Sequence, residues 1–263
     1  MTQSALSVSE ITDFVTGLEL PETHPQLQEL ATAGRLTATD VPAGQPTAAI
    51  DAGSLVSFAA QVSSQHRSDC LNSLLVAQLN SDKLYNRFDP TQVISWYKNY
   101  GTVMSNIGWV LQDFQFQNYQ ASGSTFSIDT AITSIVTSFL PAPEVAVVEA
   151  TLNALSNLGS DDPWYKVWDS SSHSANGGNF QLAPASDNNG EVNSLVVKIS
   201  AYAFSTTETT TRFLWTDYNS SDTQLQYAQQ TATLNEDVYA QIRQAIIDKL
   251  GDRAATYIGN LSI

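Results

Sequence analysis

His66-Arg67-Ser68-Asp69-Cys70 is the tightest group of chemistry-bearing residues in this 263-residue chain, and Cys70 is the sole thiol. On a helix the i, i+4 spacing sets His66 beside Cys70, where an imidazole could lower the thiol pKa and make a Cys/His nucleophile. The competing expectation is structural. Cys70 opens the apolar series Leu71, Leu74 and Leu75, and a free cysteine in such a stripe is ordinarily a small buried hydrophobe. The sequence carries no G-x-S-x-G elbow, H-E-x-x-H, Walker A loop or G-x-G-x-x-G. No catalytic residue is therefore assigned, and the balance leans away from an enzyme.

Metal chemistry finds no better footing. His24, His66 and His173 are widely spaced, and Asp187-Asn188-Asn189-Gly190-Glu191 has its glycine too early for an EF-hand calcium loop and reads as a tight turn. We expect no metal and no cofactor. In Asp161-Asp162-Pro163-Trp164-Tyr165-Lys166-Val167-Trp168 the aromatic groups Trp164, Tyr165 and Trp168 could stack on a sugar or sit at a lipid headgroup boundary. The same spacing of Trp164 and Trp168 suits a short helix pinned to a core. A second aromatic set, Trp96, Tyr97, Tyr100 and Trp109, could surround a small-molecule cavity between helices and sheet.

Composition narrows the partners. With 26 acidic against 11 basic residues the formal charge is −15, which argues against nucleic acid and against recruitment to anionic lipid by a polybasic patch. Any membrane affinity must come from apolar burial or from a receptor. A single cysteine excludes an internal disulfide and a multi-cysteine zinc site. The 42% apolar content supports one large core, so we expect a single domain over 1–263 in which 1–46 form a helical N-terminal arm and connector. Met1 to Val15 lack a basic stretch followed by an apolar run, and no 18-residue apolar segment is present. The expected product has no secretory signal; it is cytoplasmic as made or leaves by an unconventional route to act outside the producing cell.

The elements follow from periodicity. Ser7 to Leu18 form an amphipathic helix with Ser7 and Glu10 as a capping box, His24 to Ala33 a second, and Gly34 to Pro46 a connector. Helix is expected from Ser54 to about residue 84, continuous or broken near Ser63 to Arg67. Asp89-Pro90 starts another, with Val93, Trp96, Tyr97 and Tyr100 inward. Phe114 and Phe116 alternate with polar residues as a strand. Segments 194–204, 209–218 and 223–234 form an antiparallel meander, and Asn235 caps a last helix ending at Gly251 and lying on the sheet. The fold class is α+β: an antiparallel sheet of about four strands covered by amphipathic helices.

Asn118 to Gly159 contain no Lys, Arg or His and only Asp129, Glu144 and Glu149 as charges. Two helices, Ile128 to Leu140 and Glu144 to Leu158, should meet at Pro141-Ala142-Pro143. Their apolar faces are Ile132, Ile135, Val136 and Phe139, then Val145, Val148, Leu152 and Leu155. These faces would suit a sheet-covering hairpin, yet the wet sides show Ser, Thr and Asn where Lys/Glu pairs are usual. The strands share that habit in Thr206, Thr207, Thr209, Thr210 and Thr211 and in Gln224, Gln226, Gln229 and Gln230, a pattern able to line a wet lumen. We expect a membrane-binding, pore-forming or toxin-like protein that inserts these helices or strands, with a membrane or its receptor as partner and homo-oligomers as an assembly. The alternatives are a small-molecule binder or enzyme with an unfamiliar pocket, and a carbohydrate-binding module. The layout of helices around a Thr- and aromatic-rich sheet resembles the Cyt-type cytolysins, which implies helices that cover a sheet and move away at the membrane.

Overall fold

The computed structural model describes residues 7–33, 41–189, 193–208 and 212–263. In chain order these give α1 (Val8–Gly17), α2 (Pro25–Thr32), β1 (Thr47–Asp51), β2 (Ser54–Phe58), α3 (Ser64–Leu84), α4 (Val93–Asn106), β3 (Trp109–Val110), β4 (Gln117–Asn118) and β5 (Thr125–Ser127). There follow α5 (Ile128–Phe139), α6 (Ala142–Asn157), α7 (Pro163–Ser172), β6 (His173–Ser174), β7 (Gly177–Asn189), β8 (Asn193–Thr206), β9 (Asp217–Asn219), β10 (Thr223–Leu234), α8 (Glu236–Leu250), α9 (Arg253–Tyr257) and β11 (Ile258–Leu261).

The architecture is α+β, but the sheet is larger than the expected four strands and is mixed. Its order is β11-β1-β2-β7-β8-β10-β3, with β6 added on β7 and β4 on β10. The pairing of β2 with β7 is parallel; the other pairings in this sheet are antiparallel. The meander is also corrected. β10 pairs with β8 directly, while Phe213–Trp215 form a 3-10 turn and β9 leaves to pair with β5. Residues 209–211 of the expected middle strand lie outside the described residues, as do Gly190 and Glu191 of the expected turn and 34–40 of the connector.

Two of the inner strands, β1 and β2, were missed for one physical reason. The helix expected from Ser54 begins at Ser64, because Ser54–Phe58 is a strand, and β1 and β7 escaped notice altogether. β1 and β2 are buried at every position, so the alternation that marks a strand is missing and a short apolar run reads equally well as helix. Phe114 and Phe116 are not in a strand. The segment runs along β10, pairing only at β3 and β4, and both rings rest on Tyr97 at 5.0 and 4.9 Å. Asp89 makes a turn with Thr91 and Gln92, so α4 starts at Val93. Asp side chains favour such local closure as readily as a helix cap.

Local signals otherwise hold. Ser7 and Glu10 form the capping box, and Asn235 caps α8 before Gly251 ends it at φ +51°; Asp162, not singled out from sequence, caps α7. The inward face of α8, with Ile242, Ile246 and Leu250, meets α1 and α3 and not the sheet as expected.

The helix α3 lies buried and carries a polar framework. Arg67, 1% exposed, donates to the carbonyls of Val62, Pro42, Gln45 and Ala59 and to Thr47. Asp69 takes a bidentate pair from Arg243 of α8 at 2.8 Å for each bond, and His66 Nδ1 lies 2.7 Å from Asp187 Oδ1 of β7.

Beneath α3 and α4 a polar row crosses the sheet. Register places Asp51 beside Ser54 and Ser54 beside Gln181, and Ser54 Oγ donates to Gln181 Oε1. Both carboxyl oxygens of Asp51 are buried without a hydrogen-bond partner among the described residues. Burial pushes this carboxyl well above the usual range, with Arg87 pulling weakly the other way. A raised carboxyl pKa means that the folded chain holds a proton the unfolded chain has lost. Stability therefore falls as pH rises from the ordinary aspartate range toward the folded value, by up to about 1.4 kcal/mol per pH unit. Asp51→Asn is expected to flatten that slope, matching the parent near about pH 4 and exceeding it at about pH 8. Urea unfolding across this range checks it, and parallel slopes would refute it.

Candidate functional site: an uncharged helical hairpin on the sheet

Strand alternation divides the sheet into two unlike faces. Asn179 accepts a hydrogen bond from Tyr97 of α4, so Asn179 and its neighbour Ala203 face α3 and α4. Phe180, Lys198, Ser200 and Tyr202 face the other way. That second face receives α5 and α6: α6 lies over β2, β7 and β11, and α5 against β5 and the 3-10 turn.

The hairpin forms where the sequence says it should. Leu140, held extended by the proline that follows it, ends α5, and Pro141 caps α6 in extended backbone; Pro143 is tolerated in the first turn, where its missing N–H breaks no intrahelical bond. Its predicted inner face is inward in the structure. Ile132, Ile135, Val136, Val148, Leu152 and Leu155 are buried, Val145 is at the edge of burial, and Phe139 is half-buried against the core. The outer side shows Thr130, Thr133, Ser134, Thr137, Ser138, Asn153 and Glu149. Several of these hydroxyls turn back to their own helix; Thr133 and Thr137, for example, donate to the carbonyls four residues earlier, which lets an uncharged helix carry its polar atoms satisfied.

Three polar fastenings tie the hairpin to the rest. Lys198 Nζ of β8 reaches both carboxylate oxygens of Glu144, at 3.1 and 2.9 Å. Gln229 of β10 donates to the Ile135 carbonyl at 3.2 Å. Arg212 donates to the carbonyls of Ser156 and Leu158 at the end of α6 while lying over the rings of Tyr165 and Trp215. Cations at a helix C-terminus complement its orphan carbonyls. Gln229 entered the sequence reading only as one of a series of strand glutamines, and neither Lys198 nor Arg212 was singled out, although Lys198 is the one charged residue in β8 and β10 together, a signal that was there to be read.

The other candidates are placed as follows. Trp168 is fully buried against Phe180 and Phe213, and Tyr165 is buried. Trp164 is partly buried with its ring on Gly259, where a Cβ would come within 2.3 Å. In this conformation Trp168 offers no ring face to a sugar. Trp96, Tyr97, Tyr100 and Trp109 fill the space under α4; Trp96 stacks on Tyr100 at 5.4 Å. Cys70 is fully buried, and burial with nearby Asp51 and Asp69 raises its pKa, opposite to what a nucleophile needs. His66 is turned to Asp187. Among the described residues no cluster suited to a metal ion is found.

No protein-family model and no curated protein matches the sequence. Among solved structures, the chain is similar to a delta-endotoxin at TM-score 0.42 and 13% identity, covering 82% of this chain and 88% of that one. It is similar to the activated Cyt2Ba monomer from Bacillus thuringiensis subsp. israelensis at 0.40 and 12%, covering 70% and 97%. For the Evf virulence factor the values are 0.36 and 9%, covering 85% and 90%. Likenesses at this level carry no functional inference.

Proposed function

We propose that this is a membrane-interacting protein of pore-forming or toxin-like type, whose mobile unit is the α5–α6 hairpin and whose partner is a lipid bilayer or a receptor on it. The observation that supports the reading is the hairpin itself: an apolar inner face, a wet side of Ser, Thr and Asn with no cation, and attachment to the sheet through separable polar contacts. An amphipathic pair of this kind can exchange a sheet for the acyl boundary of a bilayer without carrying a cation of its own into hydrocarbon. Among the described residues no helix is long and apolar enough to cross a membrane. The hairpin therefore lies in the interface, or the chain contributes strands. β7, β8 and β10, with 13, 14 and 12 residues, exceed the roughly 9–11 that cross a bilayer when tilted. Oligomerisation would follow release.

The test is dye release from phosphatidylcholine vesicles, with co-flotation of the chain. Binding with leakage is expected. Absence of both, with vesicles made from target-cell lipids included, would remove the reading and return weight to a ligand-binding role.

A further inference from the structure

Glu144 stands where two requirements meet. It lies in the first turn of α6 beside the proline tip, and it is bonded to Lys198, its one ion-pair partner among the described residues. Both partners are largely shielded, at 24% and 21% side-chain exposure. Glu149 lies more than a turn further along α6 on the wet side, and Asp129 sits at the opposite end of the hairpin, at the start of α5. A hairpin that leaves tip first carries Glu144 away from its cation and toward hydrocarbon. Breaking a shielded pair strands a charge in each half, and a carboxylate moved into lipid meets a second desolvation cost. Protonation of one group answers both: the neutral acid no longer binds Lys198 and can enter an apolar medium.

We propose that Glu144 is a proton-operated latch on the α5–α6 hairpin, so that acidification releases the hairpin and admits its tip to a bilayer of low surface charge. This rests on the membrane reading for its second half, the entry into lipid, but not for its first, the release from the sheet. The bilayer follows from charge: the hairpin holds three carboxylates and no cation, so an anionic surface repels it until those groups are protonated.

Glu144→Gln, a neutral isostere, separates the two halves. Amide exchange of α5 and α6, read against β8 in the same molecule at about pH 7, is expected to quicken by about tenfold over the parent. Phosphatidylcholine vesicles should then leak at about pH 7 as the parent makes them leak only when acidified. The variant Glu144→Lys with Lys198→Glu is expected to regain parental protection at about pH 7 while leaking poorly at either pH, because its tip cation cannot be neutralised. Equal exchange in parent and Glu144→Gln overturns the latch whatever the vesicles show. Faster exchange in Glu144→Gln without leakage from any vesicle upholds the latch and overturns the membrane reading instead.

Discussion

Tying Glu144→Cys to Lys198→Cys through a short reducible thiol-reactive linker is expected to cut vesicle leakage by roughly 100-fold, and reduction should restore it. The site suits the experiment. The two positions are already joined by a 2.9 Å ion pair, and the native Cys70 is fully buried, so the reagent meets only the two introduced, partly exposed thiols. The unlinked double variant lacks the ion pair and should leak more readily than the parent, which widens the contrast. The linker binds α6 to β8 and leaves the outer side of the hairpin untouched. If linked protein leaks as fast as reduced protein, the hairpin is not the moving part and attention shifts to β7, β8 and β10.

Loss of the Arg67 guanidinium is expected to be the most damaging single substitution for the fold. Arg67→Ala removes donors from four backbone carbonyls and the Thr47 hydroxyl at once and takes away a cation held 5.3 Å over the Phe58 ring. Buried acceptors left without donors cost about 1–3 kcal/mol each where water cannot reach them. Partial relaxation of 42–47 toward solvent brings the expected loss to roughly 3–5 kcal/mol. Arg67→Lys restores the charge but not the fork of donors, and should recover less than half of that. Chemical denaturation with a two-state fit decides it; a loss under about 1 kcal/mol would show that the 42–47 segment holds without its pin.

Legibility followed the range of the forces involved. The caps at Ser7 and Asn235 and the break at Pro141 were readable because each is an interaction between residues a few positions apart. The eight apolar hairpin residues were readable for the same reason, since one helical face needs only its own period. β1 and β2 were not, because strands buried on both faces lose the alternation that identifies them. β7 hid behind Gly177, Gly178, Pro184 and a run of polar residues, and acquires its extended form from β8 on one side and β2 on the other. The hairpin's fastenings were hidden by distance along the chain. Glu144 and Lys198 are 54 residues apart, and Ile135 and Gln229 are 94 apart.

By itself, then, the sequence determined the acidic balance that turns the chain away from nucleic acid, most of the helix caps and helix breaks, and an uncharged two-helix unit with one apolar face. Only the tertiary structure decided what that face covers, which strands lie beneath it, that Cys70 and Trp168 are enclosed, and that a single lysine in a long strand holds the hairpin by its tip. Caps and periods are settled within a few residues of backbone, whereas strand order and ion pairs exist only after distant segments have been brought together and dried.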